Sequence, residues 1–376
     1  MIPVAKPYLT KKDAQSAYKT VLSGWVTQGP KVAEFEKKFS EYTGARYAVA
    51  VSSCTTALHL AMIVAGVSQG DEVICPSLSF IATANVILYV GAKPVFADID
   101  PKTYNINPHE VKKLITSRTK AILVVHQVGF PADIAAFKKI CQQYNLKMIE
   151  DAACAIGSEY QGKKIGSHSD LVCFSFHPRK VITTGDGGMI TTSNGSYYKK
   201  LKILRQHGMS IDARERHEAK NIVFEKYDEL GYNYRLTDIQ AAIGITQLEK
   251  LNSLLKRRRK IAHIYNEVLG KIFWVQIPFI RKGDISNYQS YQLLLKKDCP
   301  VSRDELMKKL LKKGISTRRG VMASHLESVY KKIYPHLKLS VTEYVSANSI
   351  ILPLYAQMTK KEIDYVLQTL VKCLNE

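Results

Sequence analysis

The side chains best suited to chemistry are concentrated in residues 147–190. An apolar run in this segment ends at Asp151, and a second apolar run occupies residues 171–176. Lys180 follows the second run and is succeeded by a turn rich in threonine and glycine at residues 182–188. Short apolar runs that end in polar residues are typical of buried strands. The pattern therefore predicts a carboxylate and an amine at the ends of two neighbouring strands.

A carboxylate and a lysine at the carboxyl edge of a parallel sheet face the crevice in which ligands of open α/β folds bind. The pair suits pyridoxal 5'-phosphate (PLP), because a lysine binds this cofactor covalently and an acid holds its pyridine nitrogen protonated. Taken singly, Lys180 could be a surface residue and Asp151 a helix cap, so the surrounding sequence has to decide between these interpretations.

Four segments carry a resemblance to a known family. They are EDAA at 150–153, SFHPRK at 175–180, ITTGDGG at 182–188 and GYNYRLTDIQAAIG at 231–244. These segments resemble the DegT/DnrJ/EryC1/StrS aminotransferases, which act on nucleotide-linked sugars, and the similarity extends over nearly the full chain. The resemblance implies PLP as the cofactor, pyridoxamine 5'-phosphate as its amino-carrying form, and Lys180 and Asp151 as the catalytic residues.

The order of the elements predicts the fold class. Strand-like and helical patterns alternate up to residue 195, which indicates a mainly parallel, doubly wound sheet, and no GxGxxG follows the first strand as in a dinucleotide-binding fold. The resemblance specifies an α/β, fold-type I PLP-dependent transferase with helices flanking the large-domain sheet and a small C-terminal α/β domain. We expect the PLP-binding domain over residues 1–245, and a long linking helix with the small domain over residues 246–376.

Two threonines, Thr55 and Thr56, open a predicted helix after the first predicted strand. The unpaired N–H groups and hydroxyls of such a helix start can hold phosphate, although a threonine there is usually only a cap. The resemblance assigns Thr55, Thr56 and Ser175 to the cofactor phosphate. It also assigns Phe80 to stacking on the pyridine ring, whereas the sequence alone would favour a core position for Phe80.

Two further residues are assigned to the cofactor by the resemblance. Cys154 occupies a position where relatives often carry glutamine or histidine, and its thiol is a weaker hydrogen-bond donor to the phenolic oxygen of the cofactor. Asn233 would reach across a subunit interface to the cofactor phosphate of a neighbouring chain. The resemblance thus implies a homodimer with shared active sites.

Four residues are expected to contact the substrate. The resemblance places Trp25 beside the sugar, and Arg318, Arg319 and His325 in the segment that borders the sugar nucleotide. Core packing for Trp25 and surface charge for the other three are the alternative interpretations, which the sequence leaves open.

The resemblance also implies a reaction. L-glutamate would donate the amino group, Lys180 would act as general base and acid for the proton shift, and a keto sugar would receive the amine. The histidine before Pro178 is typical of the C4-aminating branch, which favours a nucleotide-linked 4-keto-6-deoxyhexose and a role in polysaccharide or glycan biosynthesis. Amination at C3 or of a cyclitol ketone is the first alternative, and a PLP-binding or nucleic-acid-binding regulator is the second.

Composition sets the remaining limits. The chain has 376 residues, a formal net charge of +21 and a basic run at residues 256–260, for which a solvated helix face is favoured over a nucleic-acid contact. No apolar run approaches the roughly 20 residues of a membrane helix, and no signal-peptide core is present. The seven cysteines lack metal-binding spacing, so we expect reduced thiols, no metal and a cytoplasmic location.

Overall fold

The computed structural model describes residues 1–211, 221–222 and 224–375. Its helices are α1 (Lys11–Leu22), α2 (Pro30–Thr43), α3 (Cys54–Val64), α4 (Ala82–Tyr89), α5 (Pro108–Lys113), α6 (Ile134–Tyr144), α7 (Gly195–Leu204), α8 (Asp238–Leu269), α9 (Arg303–Lys312), α10 (Ser328–Lys331), α11 (Ser340–Asn348) and α12 (Lys360–Asn375). Its strands are β1 (Tyr47–Val51), β2 (Glu72–Pro76), β3 (Lys93–Ala97), β4 (Thr119–Val125), β5 (Lys147–Asp151), β6 (Glu159–Tyr160), β7 (Lys163–Lys164), β8 (Val172–Ser175), β9 (Gly188–Thr192), β10 (Val275–Gln276), β11 (Tyr291–Leu295), β12 (Arg318–Arg319) and β13 (Ser349–Leu352).

A seven-stranded sheet forms the centre of the large domain, in the order β1-β9-β8-β5-β4-β2-β3. Strands β3, β2, β4, β5 and β8 pair in parallel, and β9 runs antiparallel to its neighbours β1 and β8. The expected mainly parallel α/β fold is therefore confirmed. Val73 and Cys75 of β2 enter one apolar cluster and Ile74 enters another, because successive side chains of a strand point to opposite faces.

The C-terminal part of the chain builds a smaller antiparallel sheet in the order β10-β11-β13-β12. Leu293 of β11 packs with Leu306 of α9 and Leu370 of α12 in one apolar cluster. This arrangement fits the expected small α/β domain.

The long helix α8 begins after Thr237, as expected from the sequence, and ends at Leu269. The Thr237 side chain accepts a hydrogen bond from the Gln240 N–H in a capping box. The N-terminal part of α8 contributes Leu251 to the large-domain core, and its C-terminal part contributes Tyr265 to the small-domain core. The expected division between residues 245 and 246 falls inside this shared helix and stays a prediction.

The basic run in α8 departs from the predicted solvated face. Arg258 is buried and donates to the carbonyls of Tyr288 and Gln289, each at 2.7 Å. Arg259 likewise donates to two main-chain carbonyls, and Arg257 to a third. Only the flanking lysines are exposed. A run of consecutive cations in a helix predicts a solvated surface. Here segments distant in sequence offer carbonyls to its arginines, and Arg258 is buried.

Three observations bear on location and metals. None of the helices in the described part of the chain combines the length and apolarity that crossing a membrane requires. All seven cysteines are free thiols. Within the same described ranges, no three His, Cys, Asp or Glu side chains are grouped so that they could hold a metal ion.

Candidate active site

A cavity of about 810 Å³ opens between the large-domain sheet and the small domain. Eight of the twelve predicted site residues line it: Thr55, Phe80, Asp151, Cys154, Ser175, Lys180, Arg318 and Arg319. Because they come from distant parts of the chain, their meeting at one cavity gives the predicted site a physical location. The other four, Trp25, Thr56, Asn233 and His325, are not among the lining residues.

The sheet brings the predicted catalytic carboxylate and the predicted phosphate-binding serine together. Asp151 is the last residue of β5 and pairs with Cys173 of the neighbouring parallel strand β8, which ends two residues later at Ser175. Two parallel strands that end at the same edge deliver both side chains to the crevice outside the sheet. Lys180 follows in the turn after β8, where its N–H donates to the His177 carbonyl at 2.8 Å.

Asp151 is buried but has partners for both carboxylate oxygens. The Thr83 hydroxyl donates to Oδ2 at 2.9 Å, and the Ala153 N–H donates to Oδ1 at 3.1 Å. Burial raises the pKa of Asp151, and the two hydrogen bonds and the charge of Lys180 act in the opposite direction. A buried carboxylate of this kind is stabilised by a cationic partner, which a protonated pyridine nitrogen provides.

Lys180 lies against Cys154, with 3.2 Å between Nζ and Sγ. Burial lowers the pKa of Lys180, but Cys154, Cys54 and Asp151 outweigh it, so the pKa is raised. The thiol therefore contacts the reactive amine itself, a contact that the position of Cys154 in the sequence did not suggest.

The glycine-rich turn after Lys180 packs directly on the start of α3. A Cβ atom on Gly188 would lie 2.3 Å from the Ser53 carbonyl oxygen, closer than real Cβ contacts. Only glycine allows this approach, which brings the first turn of α3 beside the lysine. Backbone packing thus explains the glycine at position 188, the last residue of the TTGDGG motif.

Thr55 and Thr56, in the first turn of α3, make different contacts. Ser53 is the N-cap residue and accepts from the Thr56 N–H at 3.1 Å. The Thr56 hydroxyl donates to the Ser53 carbonyl at 2.8 Å, so it is engaged in the cap. Thr55 faces the cavity instead, together with the helix N-terminus, whose N–H groups and dipole favour phosphate.

Phe80 lies at the cavity with 64 % of its surface exposed. An aromatic face left open in a cavity can stack on a planar ring. With the buried carboxylate of Asp151, the amine of Lys180 and the α3 N-terminus, the cavity offers a group for each part of PLP: ring face, ring nitrogen, aldehyde and phosphate. The residues present fit this cofactor.

His325 is placed away from the cavity. It is 1 % exposed, its Nδ1 lies 2.6 Å from the Ser77 hydroxyl, and its Nε2 lies 3.2 Å from Glu343. These contacts tie the short helical turn of His325 to the large domain, so the side chain has a structural explanation. The geometry gives no support to the expected substrate contact.

Asn233 is exposed, and its loop is fixed by a close crossing of two backbone segments. A Cβ atom on Gly231 would lie 1.9 Å from the Gly208 nitrogen, so both glycines are required where the segments meet. The His207 N–H also donates to the Tyr232 carbonyl at 2.9 Å. The loop therefore presents Asn233 outward from a rigid base.

Trp25 is partly buried beside Gly29, where a Cβ atom would lie 2.6 Å from its ring. The structure thus places the indole against its own loop and outside the cavity lining. Its expected contact with the sugar stays a prediction.

Sequence reasoning missed several residues of the cavity. Thr83, which donates to Asp151, lies only three residues after Phe80, and a polar residue one turn beyond a site aromatic was a usable signal. Gln289 also lines the cavity and donates to the Arg179 carbonyl at 2.6 Å. No local signal marks Gln289, because it reaches the site through the packing of the two domains.

The site, a lysine and a buried aspartate at the strand ends of this fold, defines a fold-type I PLP-dependent enzyme. The family model of the DegT/DnrJ/EryC1/StrS aminotransferase family matches residues 7–371. In sequence, the chain is 40 % identical over 378 residues to the uncharacterised protein MJ1066 of Methanocaldococcus jannaschii, covering 100 % of this chain and 98 % of that protein.

Solved structures agree. The aminotransferase TlmJ from Streptoalloteichus hindustanus superposes with a TM-score of 0.91 at 31 % identity, covering 100 % of this chain and 99 % of that one. The PMP form of the putative sugar aminotransferase Spr1654 from Streptococcus pneumoniae superposes with a TM-score of 0.93 at 28 % identity and the same coverage. The chain belongs to the DegT/DnrJ/EryC1/StrS aminotransferase family, and it is a PLP-dependent sugar aminotransferase.

Proposed function

We propose that the enzyme transfers an amino group from L-glutamate to the C4 keto group of a nucleotide-linked 4-keto-6-deoxyhexose, for polysaccharide or glycan biosynthesis. The carrying observation is the composition of the cavity: Lys180 and Asp151 line it together with the exposed Arg318 and Arg319. Two arginines beside a catalytic lysine suit a diphosphate, which guanidinium groups bind in a bidentate manner.

The residues divide the work by position. When bound, PLP supplies the electron sink for carbanion formation. Asp151 holds the proton on the ring nitrogen, and Thr83 and the Ala153 N–H orient its carboxylate. Lys180 Nζ would act as the general base and acid that takes up and returns the proton at the substrate carbon, because it lines the same cavity as Asp151.

The remaining contacts of the cofactor are also proposals. Thr55 and the α3 N-terminus would hold the phosphate with Ser175, and Phe80 would stack on the ring. Support comes from the position of all three side chains on the cavity wall. His177 lines the same cavity, where its side chain can contact the sugar. Because a histidine at this position of the SFHPRK motif is typical of the C4-aminating branch, we propose amination at C4.

A spectroscopic experiment tests the donor and the acceptor separately. The PLP-loaded enzyme is mixed with L-glutamate, and its visible absorption band should disappear as the amino form accumulates. That form is then given nucleotide-linked 4-keto and 3-keto sugars and a cyclitol ketone, and recovery of the band identifies the acceptor. Recovery with the 3-keto sugar or the cyclitol alone would replace C4 amination by the corresponding alternative, and a band that ignores glutamate would reject this donor.

We also propose that two copies of the chain share their active sites. The segment around Asn233 carries the stacked rings of Tyr232 and Tyr234, with centroids 5.0 Å apart, and the exposed apolar side chain of Leu230. An exposed apolar patch of this kind marks an interaction surface, and Asn233 would cross it to the cofactor phosphate of the partner.

Mixing two inactive variants tests this arrangement. Lys180→Ala and Asn233→Ala dimers are mixed, dissociated and reassembled. If Asn233 serves the partner, each mixed dimer contains one intact site, and random pairing should restore roughly a quarter of the wild-type activity. If Asn233 serves its own chain, the mixture stays inactive and the shared-site proposal fails.

A cytoplasmic location completes the proposal. It is supported by the seven free thiols, which an oxidising compartment would tend to convert to disulfides. Fractionation of cells that express the chain tests it, and recovery in a secreted fraction would reject it.

A further inference from the structure

A second cavity, of about 460 Å³, lies between α2, the edge strand β1 and α7. It shares no lining residue with the active-site cavity. Its volume is within the range of small-molecule sites and many times the roughly 30 Å³ that one water occupies. The proposed reaction uses no residue of this cavity.

The floor of the cavity is a buried ion pair that caps the edge of the sheet. Glu36 accepts from the Ala50 N–H at 2.8 Å, and Arg205 Nη1 donates to the Ala50 carbonyl at 2.8 Å and to Glu36. The acid is therefore already neutralised by its own arginine. The pair engages Nη1 of Arg205 and leaves its Nε outside these contacts.

Two deeply buried polar atoms in the wall have no partner in the described part of the chain. One is the donor Arg205 Nε, on a side chain whose residue is 2 % exposed, and the other is the acceptor Gln28 Oε1, on a residue 5 % exposed. Both residues line the cavity. Buried polar atoms are rarely left unpaired, so an unpaired donor and an unpaired acceptor on two residues that line one cavity point to a ligand that offers both.

The outer part of the cavity is positively charged. Lys37 and Arg46 line it, both are exposed, and neither has an ion-pair partner within the described ranges. Arg46 is positioned over the ring of Tyr47, 5.2 Å from its centroid, which limits its freedom. Cations that are held in place beside a cavity favour a phosphate or carboxylate.

We propose that this cavity binds a small hydroxylated anion, with its phosphate or carboxylate on Lys37 and Arg46 and a hydroxyl at Arg205 and Gln28. A hydroxyl both accepts and donates, so it can satisfy Arg205 Nε and Gln28 Oε1 together. Sugar phosphates and hydroxy acids share this chemistry.

Calorimetric titration of the PLP-loaded enzyme tests the proposal, with glucose 1-phosphate as one probe and lactate as the other. Loading with PLP occupies the phosphate cup of the active site. We expect saturable binding of at least one probe at one site per chain, and the probe that binds identifies the anion class. The Lys37→Gln/Arg46→Gln double variant should weaken it at least about tenfold, because two charge-assisted contacts are removed. Gln28→Met should weaken it by a smaller factor through loss of the hydroxyl contact.

Arg318→Gln is the control, since Arg318 lines the active-site cavity and not this one. Binding within about twofold of wild type in this variant supports the second site. No saturable binding of either probe, unchanged binding in the double variant, or loss of binding in Arg318→Gln would each overturn the proposal. Inorganic phosphate that binds as tightly as glucose 1-phosphate would overturn the hydroxyl assignment.

Discussion

Two groups of charged side chains are partly or fully buried in this molecule, and they differ in the hydrogen bonds that the protein offers them. On α8, Arg258 and Arg259 direct their guanidinium groups at main-chain carbonyls of adjoining loops. At the active site, Lys180 Nζ has one hydrogen-bond partner within the described residues, the weakly bonding thiol of Cys154, although an ammonium offers three donors. We call a charge saturated when the protein supplies its hydrogen-bond partners, as for Arg258, and unsaturated when donors are left over, as for Lys180. A saturated charge stabilises the fold, whereas an unsaturated charge that faces a cavity is available for chemistry.

Replacing the unsaturated amine should have the largest effect on turnover. Lys180→Ala removes both the covalent attachment and the proton carrier, and we expect the rate to fall by at least about 10³-fold. PLP should still bind without a covalent bond, because the ring and phosphate contacts remain. Steady-state transamination and equilibrium dialysis of PLP measure the two properties, with the exposed Lys163→Ala as a control. A rate within tenfold of wild type would contradict the assignment.

Neutralising the Asp151 carboxylate should have the second largest effect on the rate. Asp151→Asn keeps the shape and the bond from Thr83 but cannot hold a proton on the pyridine nitrogen, and we expect a loss of roughly 10²-fold in rate. Thr83→Val leaves the charge and removes one donor, so its effect should be smaller. Equal losses in the two variants, measured as single-turnover rates with L-glutamate, would show that the charge of Asp151 is not what matters.

A saturated charge should affect stability and not chemistry. Arg258→Met leaves the buried carbonyls of Tyr288 and Gln289 without donors, which should lower the free energy of unfolding by about 3 kcal/mol. Lys260→Met, two residues away on the exposed side, should change it by less than about 0.5 kcal/mol. Urea unfolding of both variants measures the two free energies of unfolding. Equal losses of stability in Arg258→Met and Lys260→Met would show that the saturated hydrogen bonds of Arg258 do not stabilise the fold.

The smallest effect on the free energy of unfolding is expected at Asp13, a second saturated charge, and this effect depends on pH. Burial raises the pKa of Asp13, but hydrogen bonds from Lys250, Thr246 and Thr10 outweigh it and hold the pKa well below its usual range. A carboxyl with a depressed folded-state pKa contributes stability above its unfolded pKa, and this contribution is lost as the pH falls towards the folded value.

Asp13→Asn should therefore lower the free energy of unfolding by about 1–2 kcal/mol at neutral pH. The difference from wild type should narrow between about pH 5 and pH 3. Urea titrations at a series of pH values measure it. A difference that stays constant with pH would show that the ionised carboxylate is not the stabilising form.

The features that the sequence predicted correctly are those that depend on residues close together in the chain. Asp151, Ser175 and Lys180 come from one continuous segment, and strand ends are visible where an apolar run meets polar residues. The mainly parallel sheet follows from the same local alternation. The family resemblance then added residues such as Phe80, whose exposure in the cavity no periodicity reveals.

The features that the sequence did not predict all depend on tertiary packing. Arg258 reads as solvated because the carbonyls that bury it come from residues about 30 positions away. The buried position of His325 also depends on distant packing, since its hydrogen bond to Ser77 spans 248 positions, and its expected substrate contact stays a prediction. Gln289 was missed because only the docking of the small domain brings it to the cavity. Local patterns locate the ends of strands, but they do not contain the neighbours that satisfy a charge.

Helix α8 has a consequence for how the molecule loses its structure. Its 32 residues extend for about 48 Å, and Leu251 and Tyr265 on it belong to different cores. Unfolding of either domain would leave its half of the helix unpacked, and fraying from that half would reach the residues that the other core buries. The shared helix therefore couples the unfolding of the two domains, and heating should produce a single unfolding transition for both.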